Sequence, residues 1–414
     1  MMTTVDKPAL CPVAGEILSK TQPAKIDLSN SPLWHRWLQP LSAVKKTLPA
    51  VFDNAEIASE LAALDCIDPP SYRAKLLAVL RQHLAAAKTK IEQDFYRNND
   101  GANYVGQHAR CIDGLLSLLH DEAGKVMSQS HDIAVIAVGG YGRGEMAPFS
   151  DIDVMFLMPA KANKKHEAAI EFMLYLLWDM GLKIGHSTRS VTEAITAGRD
   201  DQTVMTSLLE MRHVCGNATL WTNLLRALRS KISKNKPLIF VEQKLAERDL
   251  RHKRFDDTRY VVEPNVKDGK GGLRDLHSLF WIAKYAYRAD SIMDVLAQGV
   301  LRDAEARRFA LAQRFLWTVR CHLHFHAGRA EERLDFEAQM AIAPRMGFSD
   351  RFGMRAVERF MKRYYLAIRH VGDLTRIFCA VMETDFRKQL TLWRPDFLRA
   401  KNLDPFFIES GRVR

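Results

Sequence analysis

Residues Gly139 to Val154 read GGYGRGEMAPFSDIDV, and this stretch decides the fold. Before it lies Ile133–Val138, a short β-branched apolar run stopped by the glycine pair, which predicts a buried strand. It runs on into Asp151–Met158, DIDVMFLM, a second strand whose opening alternates acid and apolar residues. Side chains two apart on a strand share a face, so Asp151 and Asp153 stand side by side. Glycine lets backbone amides approach phosphate oxygens and point at them together. Gly139, Gly140, Gly142 and Gly144 are the candidates for such a cradle, with Arg143 adding charge and Ser150 directly before the acids. Two same-face carboxylates are hard oxygen ligands suited to Mg2+, which takes a few carboxylates, waters and substrate phosphates. Two such ions orient an attacking hydroxyl and stabilise the leaving oxygen of an in-line displacement.

Competing readings of the stretch fail on its order. A dinucleotide-binding turn leads into a long helix, whereas this one leads to an acidic strand. No GxxxxGK[ST] string occurs, and the apolar residues between the acids do not fit a calcium loop.

Outward from this centre the pattern is helical. Tyr72 to Phe95 and about Val105 to Leu119 predict helices before the first strand. His166 to Met180 predicts a helix broken at Gly181, and Leu182–Ser190 a third strand. After about Thr192 the expectation is helix throughout, over 203–214, 218–231, 238–254, 274–288, 303–326 and 353–384. The expected class is α+β and mostly helical: a small mixed-sheet domain over 71–195, an all-helical domain over 196–414, and a poorly defined lead-in over 1–70.

Within the helical half, Glu263 to Asp275 (EPNVKDGKGGLRD) forms a basic loop. Lys267, Lys270 and Arg274 bracket Gly271-Gly272 at an expected helix N-terminus, where amides and the helix dipole favour an anion. It reads as a lid over a triphosphate or as a clamp between domains. On a helix His324 points away from the side shared by His322 and His326, so the three do not converge and read as core or surface histidines.

The 414 residues carry a net charge of +11, with 47% hydrophobic and 26% charged residues, an ordinary globular balance that favours an anionic partner. No RGG tract, zinc-finger spacing or RNP-like strand points to nucleic acid. No apolar run reaches the roughly 20 residues of a membrane span, and no secretory signal is visible. The six cysteines form no CxxC pair, so reduced thiols in a cytoplasm are expected.

Gly139-Gly140 followed by Asp151-x-Asp153 resembles the signature of the polymerase-β-type nucleotidyltransferases. The longer string GGYGRGE…SDIDV is similar to one branch, the bacterial PII uridylyltransferase/uridylyl-removing enzymes. GLKIGHSTR (Gly181 to Arg189), TVMTSLLEMR (Thr203 to Arg212), the run from Arg251 to Lys284 and GRAEERLDFEAQ (Gly328 to Gln339) also match, so the resemblance covers roughly residue 70 onward. It implies Mg2+-dependent transfer of UMP from UTP to a tyrosine hydroxyl of the PII nitrogen-signalling protein, with Asp151 and Asp153 holding metal and the partner supplying the nucleophile. Other superfamily chemistries, protein adenylylation or nucleotide addition to RNA, are the alternatives, as is a degenerate nucleotide-binding module.

Many enzymes of the superfamily use a third carboxylate from a neighbouring strand. Here that strand reads IGHSTRS, leaving Glu145, His186, Ser187 or no third ligand open. The family also continues with an HD hydrolase domain and two ACT domains. Neither has sequence here, and His120-Asp121 and His131-Asp132 lack the spaced partners of an HD site. The chain is therefore expected to be the N-terminal part of a longer bifunctional enzyme.

Overall fold

The computed structural model describes residues 52–386 apart from 65–68, 127–129, 235–236, 256–257, 290–291 and 352, together with short strands at 401–403, 406–409 and 412–413. Most of the expected lead-in falls outside the described residues.

Helix α1, Asn54–Ala62, starts at Asp53, whose side chain accepts the amides of Ala55 and Glu56. The long helices α2, Pro69–Asn98, and α3, Gly101–Val126, contain the two predicted ones. There follow strand β1, Ala134–Ala137; a single helical turn α4, Gly139–Gly142; β2, Ile152–Met158; α5, Lys164–Asp179; and β3, Ile184–Ser190. Helices α6, Val191–Asp200, and α7, Gln202–Leu209, lead into β4, Arg212–Gly216.

The four strands form one sheet in the order β3-β2-β1-β4. Strand β1 is antiparallel to both β2 and β4, and β2 is parallel to β3, joined to it through the crossover helix α5. The alternation read in the sequence sorts the side chains. Ile152, Val154 and Phe156 face a core shared with Leu115, Leu116, Met173 and Leu177. Met155 and Leu157 face a second core with Met205, Leu208, Leu209 and Leu224. Asp153 belongs to this second face, at the end of β2 where the glycine turn crosses.

Strand β4 corrects the sequence reading, which carried one helix through 203–214. Glu210 caps α7, and the chain then pairs with β1, Ile136 against His213 and Ala137 against Arg212. A pairing so distant in sequence leaves no mark in local periodicity, and here it overrides helix propensity. The sheet thus ends at Gly216, past residue 195.

The rest of the described chain up to residue 386 is helical: α8, Ala218–Lys234; α9, Pro237–Arg254; α10, Leu273–Ala286; α11, Ile292–Ala297; α12, Asp303–Ala327; α13, Phe336–Arg345; and α14, Ala356–Phe386. Helix α13, absent from the expectation, is capped by Asp335, whose side chain accepts the Ala338 amide at 2.8 Å. The strands at 401–413 were also unexpected. The fold is α+β and mostly helical, a small mixed sheet set among helices. No helix among the described residues is long and apolar enough to cross a membrane.

Candidate active site

Asp151 is exposed just before β2 and Asp153 is half-buried within it. Neither carboxylate makes a hydrogen bond or ion pair with another described residue, although Asp153 is crowded by backbone. A Cβ on Gly139 would lie 3.0 Å from Asp153 Oδ2, and a Cβ on Gly185 would lie 2.5 Å from Oδ1. Two glycines thus leave the space the carboxylate occupies. Burial, then the negative charges of Asp151 and Glu210, raise the Asp153 pKa, while Lys267 and Arg143 pull the other way. Two adjacent oxygen-ligand groups whose charges repel, with no donor side chain among the described residues satisfying them, fit a hard divalent cation.

Gly139 opens the turn with φ +59, a left-handed conformation that favours glycine. Its turn closes on itself: the amides of Gly142, Arg143, Gly144 and Glu145 donate to Val138, Gly139, Tyr141 and Gly140. The amides of Gly140 and Tyr141, at the start of a helical turn, have no intrahelical acceptor. Gly142 is packing rather than cradle, because a side chain there would strike the Glu210 carbonyl oxygen. The turn is anchored by Tyr141, whose hydroxyl donates to Asp113 at 2.7 Å. Arg212 of β4 grips the same carboxylate at 2.7 and 2.9 Å and donates to the Tyr141 carbonyl at 3.2 Å. Ser150 is half-buried and its amide donates to Ala147.

Arg143 turns inward. Its Nε donates to Glu145 at 2.7 Å, and its Nη1 pairs with Glu210, which also accepts from the Trp281 indole. Glu145 accepts from Gln313 of α12 at 2.8 Å, and His277 Nε2 lies 3.2 Å from it, off the hydrogen-bond axis. Burial would raise the Glu145 pKa, but Arg143 and His277 outweigh it and hold it at about 2. His277 is held near 3 by burial and Arg143, so it is neutral. The hub joins the glycine turn to the cap of α7 and to helices α10 and α12. Arg143→Ala should therefore destabilise the fold by about 3 kcal/mol, since it strands two buried carboxylates. Denaturant unfolding measures this, and an unchanged midpoint would remove the structural role.

The basic loop crosses the same region. Asn265 accepts the amides of Lys267 at 3.1 Å and Asp268 at 2.6 Å, fixing a tight coil before α10. The amides expected to meet an anion are taken: Gly272, Leu273 and Arg274 donate to Gly269, Val266 and Lys267. Gly271 donates to Asp275, which also holds Arg251 and His252. Arg274 stacks over Trp281 with its Nε 3.3 Å from Asp268, and Lys270 is half-buried on the loop. Lys267 is the member of the loop whose charge acts on Asp153. Burial and the Arg320 guanidinium lower its pKa.

For the third ligand, register is informative. Gly185 lies opposite Asp153, and His186 opposite Val154. The His186 side chain therefore stands on the other face, and Ser187, opposite Met155, is one pleat further from the acids. Glu145 is engaged in the hub. Among the described residues no group of three or more His, Cys, Asp or Glu is placed to hold a metal. His322 lies on α12, bonded to Asn99 at 2.7 Å, and His324 is buried near Glu332.

Sequence reading missed Asp113, Gly185, Glu210, Arg212, His277, Trp281 and Gln313. Several lie inside the strings that carried the resemblance, TVMTSLLEMR and the run ending in LHSLFWIAK. The hub gives those strings a physical reason.

Residues 121–197, which hold the glycine turn and both aspartates, match the nucleotidyltransferase domain model. Residues 239–379 match the GlnD PII-uridylyltransferase model. The chain is similar to the bifunctional uridylyltransferase/uridylyl-removing enzyme of Rhodospirillum rubrum, 46% identical over 91% of this chain and 40% of the relative. The enzymes of the same name from Azospirillum brasilense (43% identical, 82% of this chain, 38% of the relative) and Rhodopseudomonas palustris (41%, 87% and 41%) are also similar. The chain spans about two fifths of the length of these curated relatives.

Proposed function

We propose that this chain is a protein uridylyltransferase that moves UMP from UTP to a tyrosine hydroxyl of the PII signalling protein. The observation that carries the reading is the pair Asp151 and Asp153 beside a closed glycine turn, in a chain that matches the two family models. The acceptor oxygen bonds to the α-phosphorus, the bond to the bridging oxygen breaks, pyrophosphate leaves, and the phenolic proton is lost. Asp151 and Asp153 would hold Mg2+, which supplies charge stabilisation to the phosphates. The Gly140 and Tyr141 amides and the Lys267 ammonium would hold the triphosphate, and the protein's task is positioning rather than covalent chemistry. We assign Arg143 to holding the turn, and Lys270 and Arg274 to supporting the loop. The described cysteines Cys111, Cys215, Cys321 and Cys379 are free thiols, which suits a cytoplasmic reaction.

The test is incubation of the chain with Mg2+, PII protein and each labelled nucleoside triphosphate in turn. Label on PII from UTP alone is expected; label from ATP alone would replace the reading with adenylylation. Lys267→Ala should weaken UTP binding about ten- to a hundredfold, the effect of one charged hydrogen bond. Calorimetric titration beside thermal melts checks it: unchanged affinity would take Lys267 out of the nucleotide site.

A further inference from the structure

We propose that the outer edge of β3 is where the acceptor protein docks, as an extended segment pairing beside Ile184, His186 and Thr188. This rests on the uridylyltransferase reading and adds the place of its second substrate.

Strand β3 is the last in the sheet, beyond β2. The Ile152 amide donates to the Lys183 carbonyl at 2.9 Å, and the parallel register runs Ile152 with Ile184 through Met158 with Ser190. In such a ladder the amides of Gly185, Ser187 and Arg189 turn inward to β2. The N–H and C=O groups of Ile184, His186 and Thr188 therefore turn outward. They make no hydrogen bond to another described residue, and Gly185, His186 and Thr188 are exposed. An open strand edge is a template for a further strand.

The occupant follows from what lies across β3. Gly185 sits opposite Asp153 and has no side chain between the edge and that carboxylate. A strand added to β3 lies two strand spacings from β2, about 10 Å away. A long hydroxyl-bearing side chain on it, leaning over Gly185, is directed at the two aspartates. The glycine turn and Lys267 already take the nucleotide's side of the site, so this edge is left for the acceptor. On the opposite face the edge is walled by aromatics: Trp178 is 45% and Tyr175 51% exposed, and the Trp178 and His186 rings lie 6.0 Å apart. Exposed aromatics beside an unpaired edge suit a protein segment, which offers both backbone and side chains.

Proline tests this directly. At an edge position whose N–H points away from the sheet it is tolerated by the fold but cannot donate to an incoming strand. His186→Pro and Thr188→Pro should each raise the KM for PII about tenfold or more, the loss of one or two backbone hydrogen bonds. UTP affinity and melting temperature should stay unchanged. In the unsubstituted chain, amide exchange at Ile184, His186 and Thr188 should slow when PII is added. Transfer to PII with no slowing at these amides, or with the wild-type acceptor KM in folded proline variants, overturns the docking edge and leaves the uridylyltransferase reading standing. No label on PII from any nucleotide overturns both.

Discussion

Asp153→Asn should lower UMP transfer by about 10³-fold or more, the upper range for one preorganised charge-stabilising group, while leaving the protein as stable as before or slightly more so. The two expectations come from the same geometry. Asp153 is held half-buried between Gly139 and Gly185, and burial and the charges of Asp151 and Glu210 disfavour its ionised form. The amide has nearly the same shape and removes the repulsion, so the fold gains or is indifferent. It also removes the charge that a divalent ion needs. Such opposition between stability and activity marks a functional group, because a residue that serves the fold loses both together. The measurement pairs single-turnover transfer from labelled UTP with denaturant unfolding of the same preparation. A folded variant that keeps full Mg2+-dependent transfer would place the chemistry elsewhere; one that unfolds more easily would make Asp153 a structural residue.

How much of this was legible beforehand depended on whether the signal was local. The two aspartates share a face because side chains alternate along a strand, and that reads from DIDV alone. The glycine turn reads from composition, since only glycine takes the φ of Gly139 without strain. The direction of Arg143 does not. A basic residue in a glycine turn next to acids looks like a phosphate ligand, and only the tertiary placement of Glu210 and Glu145 shows where its charge goes. The basic loop depends on tertiary placement in a related way. A Gly-Gly before a helix predicts free amides, but Asn265 folds the coil back so that its own carbonyls receive them. Strand β4 was hidden because its partner β1 lies some 75 residues earlier, a distance at which periodicity carries nothing. Gly185 was readable in principle, since a lone glycine inside a strand points to close approach by another group.

Gly185→Val should lower transfer by about 10²-fold, the scale of an ångström-sized misplacement at a reacting centre, with the melting temperature unchanged or raised. Valine is among the residues that strands favour, Gly185 is exposed, and its backbone is not in the left-handed region, so the new residue suits the strand itself. What it meets is Asp153. Its Cβ would stand 2.5 Å from Oδ1, so the carboxylate must swing away. That motion costs the fold little, because it displaces the end of one side chain that no described donor holds. It costs the reaction its metal geometry and fills the gap through which an acceptor on the β3 edge reaches the site. Gly139→Val would be a poorer probe, since its positive φ adds backbone strain to the same collision. Reading kcat and the KM for PII separately divides the two effects. A fall in kcat at saturating PII reports the displaced carboxylate, and a rise in KM reports the closed gap. A variant with the parent's kcat and KM would show that Asp153 works without that cleared space, and both the metal pair and the docking edge would lose their geometric basis.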